Sequence, residues 1–322
     1  MSSVSIARQR GLFAGIADQE VPTIRRDISR LREQISTGKR VNRPSDAPDA
    51  FAVAKEMKTL GNRLDRRLST INSARTFADR TQQELDGMID LFSRAREEGV
   101  RAANDSLSDD DREAIAQELR SIKAEVVDRM NAQQDGEYIF AGNRTDKKPF
   151  TDDGTPNYTD GGGDPTHDPI SGDRTRQIGK DQELTVNIDG KELDQYGTTP
   201  SGDPKTITGA LDTLIKAVDP ADNTPGPGSD PDIRPALGDV KDALDHVISK
   251  GSKAGTIGKR LSIAEEQVES VKLDARERQS DAEDADLAKV ASNLQQKQTQ
   301  LQAALRAVAS SKQQASLVNL LG

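Results

Sequence analysis

The chain of 322 residues has no cysteine and no tryptophan, only two histidines, and nine aromatic residues in all. Without cysteine there are no disulfides, no thiolate metal ligands and no thiol nucleophile. Aromatics make up 3% of the chain, and Leu, Ile, Val and Phe together are only about a fifth of it, so a single large globular core is not expected. No apolar run is long enough to span a bilayer. The N-terminal MSSVSIARQRGLFAG lacks the apolar stretch and cleavage site of a secretory signal. With 31% charged residues, the composition suits narrow helical seams stabilised by neighbours or by assembly better than a compact enzyme.

Proline is absent from two long stretches, between Pro48 and Pro149 and after Pro235, while eleven of the fourteen prolines fall from Pro149 to Pro235. Both flanks can therefore hold long helices, and the middle cannot. The net charge of −9 is equally uneven. Arg144 to His246 holds 21 acidic against 11 basic residues, so the acidity belongs to the middle. A hydrated acidic segment lacks the basic footprint that phosphate binding needs, which argues against nucleic acid as a partner.

In the first flank Val21, Ile24, Ile28, Leu31 and Ile35 alternate steps of three and four, the spacing of a coiled-coil seam, and Gly38 is placed to end that helix. After the turn STGKRVNRPSDAPDA, the residues Leu64, Ile71, Ala78, Leu85 and Phe92 recur at sevens, supported by Leu60, Leu68 and Ile89. They predict one helix over 51–104, about 80 Å long at 1.5 Å per residue. Ser108 is a good N-cap before Asp109, Asp110 and Asp111, and Ile115, Leu119, Ile122, Val126 and Met130 predict a helix to about Gln134. The last flank, from about Ile257, carries Leu287, Leu294, Leu301, Val308 and Ala315 at sevens. After Asp286 it has no acidic residue and only four basic ones. Neutral polar and small side chains cost less to desolvate than ions, so this helix suits a position covered by neighbours.

Between the flanks, GEYIFAGNRTDKKPF from Gly136 to Phe150 holds a third of the aromatics: Tyr138, Phe140 and Phe150. It marks the point where helix gives way to a Gly-, Asp-, Pro- and Thr-rich text over 151–202. There LTVNI followed by Asp189-Gly190 predicts a β-hairpin. Two modest helices are expected near 206–218 and 234–249, separated by the linker ADNTPGPGSDPD.

Chemistry-bearing clusters have structural readings beside the functional ones. The heptads allow an intramolecular coiled coil, assembly with other subunits, or both. Asp152, Asp153, Asp160 and Asp164 could serve a calcium loop or a solvated acidic loop, and their spacing fits neither an EF-hand nor a glycine-rich nonapeptide repeat. His167 and His246 stand far apart with no nucleophile motif, which favours packed or exposed histidines over catalytic ones, and the Asp109–Asp111 run reads as a helix start rather than a metal site. No catalytic residue, no metal ligand and no cofactor site is expected.

Three segments carry a family resemblance. ISTGKRVNRPSDAPDA (35–50) and the terminal KQQASLVNLLG (312–322) resemble the bacterial flagellin superfamily. GEYIFAGNRTDKKPF, followed by Tyr158, Arg176-Gln177-Ile178 and LTVNIDG, resembles that superfamily's hook-filament junction branch. The chain departs from that branch in an insertion near 165–172 and in having Leu193 and Tyr196 where a phenylalanine is usual.

The resemblance implies a mainly α fold: a long antiparallel helical coiled-coil rod formed by both chain ends, with a small β-rich head domain inserted in the middle. The expected division is 1–45 with 280–322 as terminal helices for inner assembly, 46–148 with 234–279 as helical rod, and 149–233 as a solvent-facing head. It further implies a structural subunit of the bacterial flagellum, exported without a cleavable signal peptide through the flagellar type III apparatus and found outside the cell. Its partners would be itself in a ring, a hook-side junction protein, flagellin and a flagellar export chaperone, with no nucleic acid and no membrane insertion. In that family the terminal helices are disordered before assembly, which fits the low apolar content. Val21, Ile24, Ile28, Leu31 and Ile35 would form the assembly seam with Leu287, Leu294, Leu301 and Val308. Tyr138, Ile139, Phe140 and Phe150 would fix the head on the rod. A filament-forming flagellin is the nearest alternative, and a cytoplasmic coiled-coil adaptor a more distant one.

Overall fold

A computed structural model describes residues 3–104, 106–157, 170–179, 181–222 and 233–320, with side chains described within 20–310. Tyr158, Asp160, Asp164, His167 and most of the 221–232 linker lie outside the described residues, as do the side chains of 312–322. The chain divides into two compact units, Met1–Leu64 with Ser270–Gly322, and Asp65–Glu269.

In the first unit, α1 (Ser3–Thr37) and α7 (Leu287–Leu320) pack along one another. Three contacts fix their sense as antiparallel: the Ala285 amide donates to the Gly38 carbonyl at 2.9 Å, Lys297 Nζ meets Asp27 at 2.8 Å, and Glu20, Thr23 and Ile24 face Gln300 to Ala307. Gly38 ends α1 in the left-handed conformation, φ 71°. The turn that follows is tied to the short break between α6 (Arg234–Glu283) and α7. The Arg40 and Val41 amides donate to the Glu283 carbonyl at 2.6 and 3.3 Å, and Lys39 Nζ pairs with the Glu283 carboxylate at 2.8 Å. Asp286 caps α7 by accepting from the Lys289 amide at 3.0 Å, so the last acidic residue of the chain is a helix start.

In the second unit, α2 (Pro48–Ala102) contributes its residues from 65 onward. It runs antiparallel to α3 (Asp109–Met130), with Arg129 meeting Glu84 and Arg94 meeting Glu118. It also runs antiparallel to α6, with Arg75 meeting Glu265 and Gly99 lying against Leu237. Ser108 and Asp111 form a reciprocal capping box at the start of α3, and the buried Arg112 donates to the Ala102 carbonyl at 2.9 Å, satisfying the end of α2. The α5 helix (Ile207–Val218) lies on α3, where Lys123 reaches Asp212 at 2.6 Å and Arg120 pairs with Asp219.

The sheets are small. β1 (Gln133–Gln134) pairs with β2 (Glu137–Tyr138), β3 (Thr175–Gln177) with β4 (Glu183–Thr185), and β5 (Gln195–Thr198) with β6 (Pro204–Thr206), each antiparallel. Three expectations are corrected. The third helix stops at Met130 rather than near Gln134, because Asp135 and Gly136, φ 54° and 83°, make the tight turn of the β1–β2 hairpin. Asp189-Gly190 is not a hairpin turn: Asp189 caps the short α4 (Gly190–Asp194) by accepting from the Glu192 amide at 2.7 Å. The helix expected over 234–249 continues unbroken to Glu283.

Candidate assembly interface

The apolar stripe of α1 is unevenly covered within its own chain. Ile28 and Leu31 are buried and Val21 and Ile24 half-buried, whereas Ile35 is 39% exposed. On α7, Leu294, Leu301 and Val308 are half-buried, Val290 is buried, and Leu287 is 50% exposed. An open groove of about 720 Å³ between the two helices is lined by Ile24, Ala303, Ala304 and Ala307 and by the polar Glu20, Thr23 and Gln300. Small residues there leave room that a larger side chain would fill. The ion pair of Lys297 with Asp27 sits at one edge. Among the described residues, six of the nine exposed large apolar side chains lie in the first unit: Ile35, Val53, Val271, Leu273, Leu287 and Leu305.

The other candidate cluster lies wholly in the second unit. Ile139, Phe140 and Phe150 are fully buried in one apolar core with Phe92 of α2, Met130 of α3, and Ile188 and Leu193 of the middle segment. Tyr138 is half-buried and pairs with Gln133, while its amide donates to the Thr145 carbonyl at 2.9 Å.

Two residues that sequence reasoning missed help hold the cluster. Asn131, at the end of α3, donates from Nδ2 to the Val127 carbonyl at 3.0 Å and accepts the Phe150 amide on Oδ1 at 3.0 Å, so one side chain ties the helix end to the incoming loop. Arg174 pairs with Glu137 at 2.7 Å and lies 4.9 Å from the Phe77 ring centroid, joining the start of β3 to β2 and α2.

Of the acidic and histidine candidates, Asp152, Asp153 and His246 lie within the described residues and have local partners. Asp152 pairs with Lys148, and Asp153 accepts from the Thr151 hydroxyl and the Thr155 amide, bonds that hold its carboxyl down at about 2. His246 Nε2 lies 3.0 and 3.1 Å from the Glu192 and Leu193 carbonyls, and burial holds its imidazole below the ordinary value.

Paired terminal helices with a groove between them, flanking a middle of small sheets, define a structural subunit of the flagellin type. The chain belongs to the bacterial flagellin family: the bacterial flagellin N-terminal helical region matches residues 13–145 and the C-terminal helical region matches 237–321. It is 29% identical to flagellar hook-associated protein 3 of Salmonella typhimurium over 296 residues, covering 86% of this chain and 88% of that protein. Its fold is shared by a flagellar hook-associated protein from Vibrio parahaemolyticus, with a TM-score of 0.63 at 20% identity, over 74% of this chain and all of that one. By contrast, flagellin FlaB1 of Treponema pallidum, 31% identical, matches over only 34% of this chain and 39% of the flagellin.

Proposed function

We propose that this chain is the structural subunit of the junction between the flagellar hook and filament. The observation that carries this reading is the extent of similarity: to a hook-associated protein it spans nearly the whole chain, and to a filament flagellin about a third. The relatives are structural flagellar proteins, and we assign no catalysis to this chain.

In the finer reading, subunits form a ring by packing the α1 and α7 seams of neighbouring copies. Residues 1–45 and 280–322 serve as the inner assembly region, 46–148 and 234–279 as its helical support, and 149–233 as the solvent-facing head. The apolar side chains left exposed in the first unit support this, because apolar surface of that kind marks an interaction site. The charge-poor α7 supports it as well, since covering it desolvates few ions. Delivery through the flagellar export apparatus, with a chaperone holding the C-terminal helix, follows from the same reading. The purified chain incubated alone at high concentration is expected to stay below filament length. Long filaments of the purified chain would instead select the flagellin reading.

A further inference from the structure

Asp194, the last residue of α4, is 0% exposed, yet neither of its carboxylate oxygens has a hydrogen-bonded partner. An ionised carboxylate so placed is strongly disfavoured unless a cation or several donors compensate it.

Among the described residues, Lys205, Lys250 and Lys253 of the surrounding elements are engaged with other groups. From α5, the first-turn amides of Ile207 and Thr208 face the carboxyl without the geometry of full hydrogen bonds. The α5 cap, Thr206, is occupied with the Gly209 amide at 3.0 Å. From β5, Tyr196 donates to the Asp239 carbonyl at 3.3 Å, and its phenol is pushed up by burial first and then by Asp239, Asp242 and Asp194. From α6, His246 holds the Glu192 and Leu193 carbonyls, while Lys250 and Lys253 are engaged by the Glu192 carboxylate at 3.1 and 2.7 Å. From β6, Lys205 pairs with Asp239 at 2.7 Å. The short α4 is therefore held on two sides, by Leu193 in the core and by Glu192 and the backbone carbonyls against α6, while Asp194 is buried beside the start of α5 without a bond of its own.

We propose that Asp194 is a proton-dependent latch: α4 stays packed on the first turn of α5 while this buried carboxyl is neutral, and its ionisation, uncompensated in the core, loosens that packing. Burial raises this carboxyl to about 7, and the two helix amides offset only part of the effect. With the folded value above the ordinary 3.8, the stabilisation is complete below 3.8 and is lost as pH rises through about 7. His246 acts in the opposite sense. Its folded value lies below 6.5, so its contribution is present above 6.5 and is lost as pH falls.

The test uses the full chain carrying isotope-labelled aspartate, read by infrared spectroscopy, together with amide hydrogen exchange in wild type and Asp194→Asn. The expected spectrum contains one protonated carboxyl at about pH 6 that is missing in Asp194→Asn and disappears through neutrality. The opening constant for the amides of 190–194 and 207–209 is expected to rise roughly tenfold between about pH 5.5 and about pH 8 in wild type, and not to rise in Asp194→Asn. The labelled wild type alone decides the matter should the variant misfold. Absence of any protonated carboxyl in the folded protein at about pH 6, or the wild-type pH response persisting in Asp194→Asn, overturns the proposal.

Discussion

Phe140 shows how much of the middle segment depends on single side chains. It is fully buried with Ile139 and Phe150, in a core also built from α2 and α3. Phe140→Ala is expected to cost about 3–5 kcal/mol, the transfer loss plus an unfilled cavity, and to raise the rate of proteolysis within 136–157. A denaturant midpoint and cleavage pattern equal to wild type would contradict this placement. The cluster was legible in the sequence because three of nine aromatics fall in fifteen positions. Asn131 was not, because a polar residue just past a helix carries no periodic signal; its role depends on the Phe150 amide, nineteen residues later, coming within reach. Asp194 was invisible for a related reason: in an acidic segment it reads as one more solvated charge, and only the packing of α4 removes it from water.

Among elements, the long helices were readable where their apolar stripes are regular, and the misreadings have local causes. The stretch KGSKAGTIG, 250–258, places three glycines in eight residues and looks like a helix end. The helix nevertheless continues. Val247, Ala254, Ile257 and Leu261 keep one face buried, and that burial outweighs glycine's unfavourable propensity of about 1 kcal/mol per residue. The end of α3 was missed for the opposite reason, because the apolar stripe ran up to a two-residue turn whose Asp-Gly signal was available and carried less weight. Glycine substitutions separate the two roles. A Cβ on Gly142, at φ 57°, would lie 2.4 Å from the Ser171 carbonyl oxygen, so Gly142→Ala forces the backbone apart and is expected to destabilise by about 2 kcal/mol or more. Gly61, inside α2 with open space around it, should behave in reverse, Gly61→Ala stabilising by roughly 0.5–1 kcal/mol. Thermal unfolding of the two variants checks both signs.

At the scale of the whole molecule, the proposed assembly rests on what the chain leaves uncovered. The intramolecular reading of the heptads accounts for Ile28, Leu31 and Val290, which are buried within the single chain. It does not explain Ile35, Leu287 and Leu305, which stay exposed in the single chain. Periodicity could place all these residues on one stripe, but could not say which of them the chain's own partner helix would cover; that depends on the offset between α1 and α7. Removing residues 287–322 is therefore expected to abolish incorporation into flagella, scored by electron microscopy of a strain expressing only the truncated chain. Wild-type flagella in that strain would mean that α7 is not an assembly element. The central claim, a junction subunit rather than a filament subunit, is tested most directly by gold-labelled antibody on intact flagella. The account predicts one narrow band of label where hook meets filament, and label distributed along the filament would contradict it.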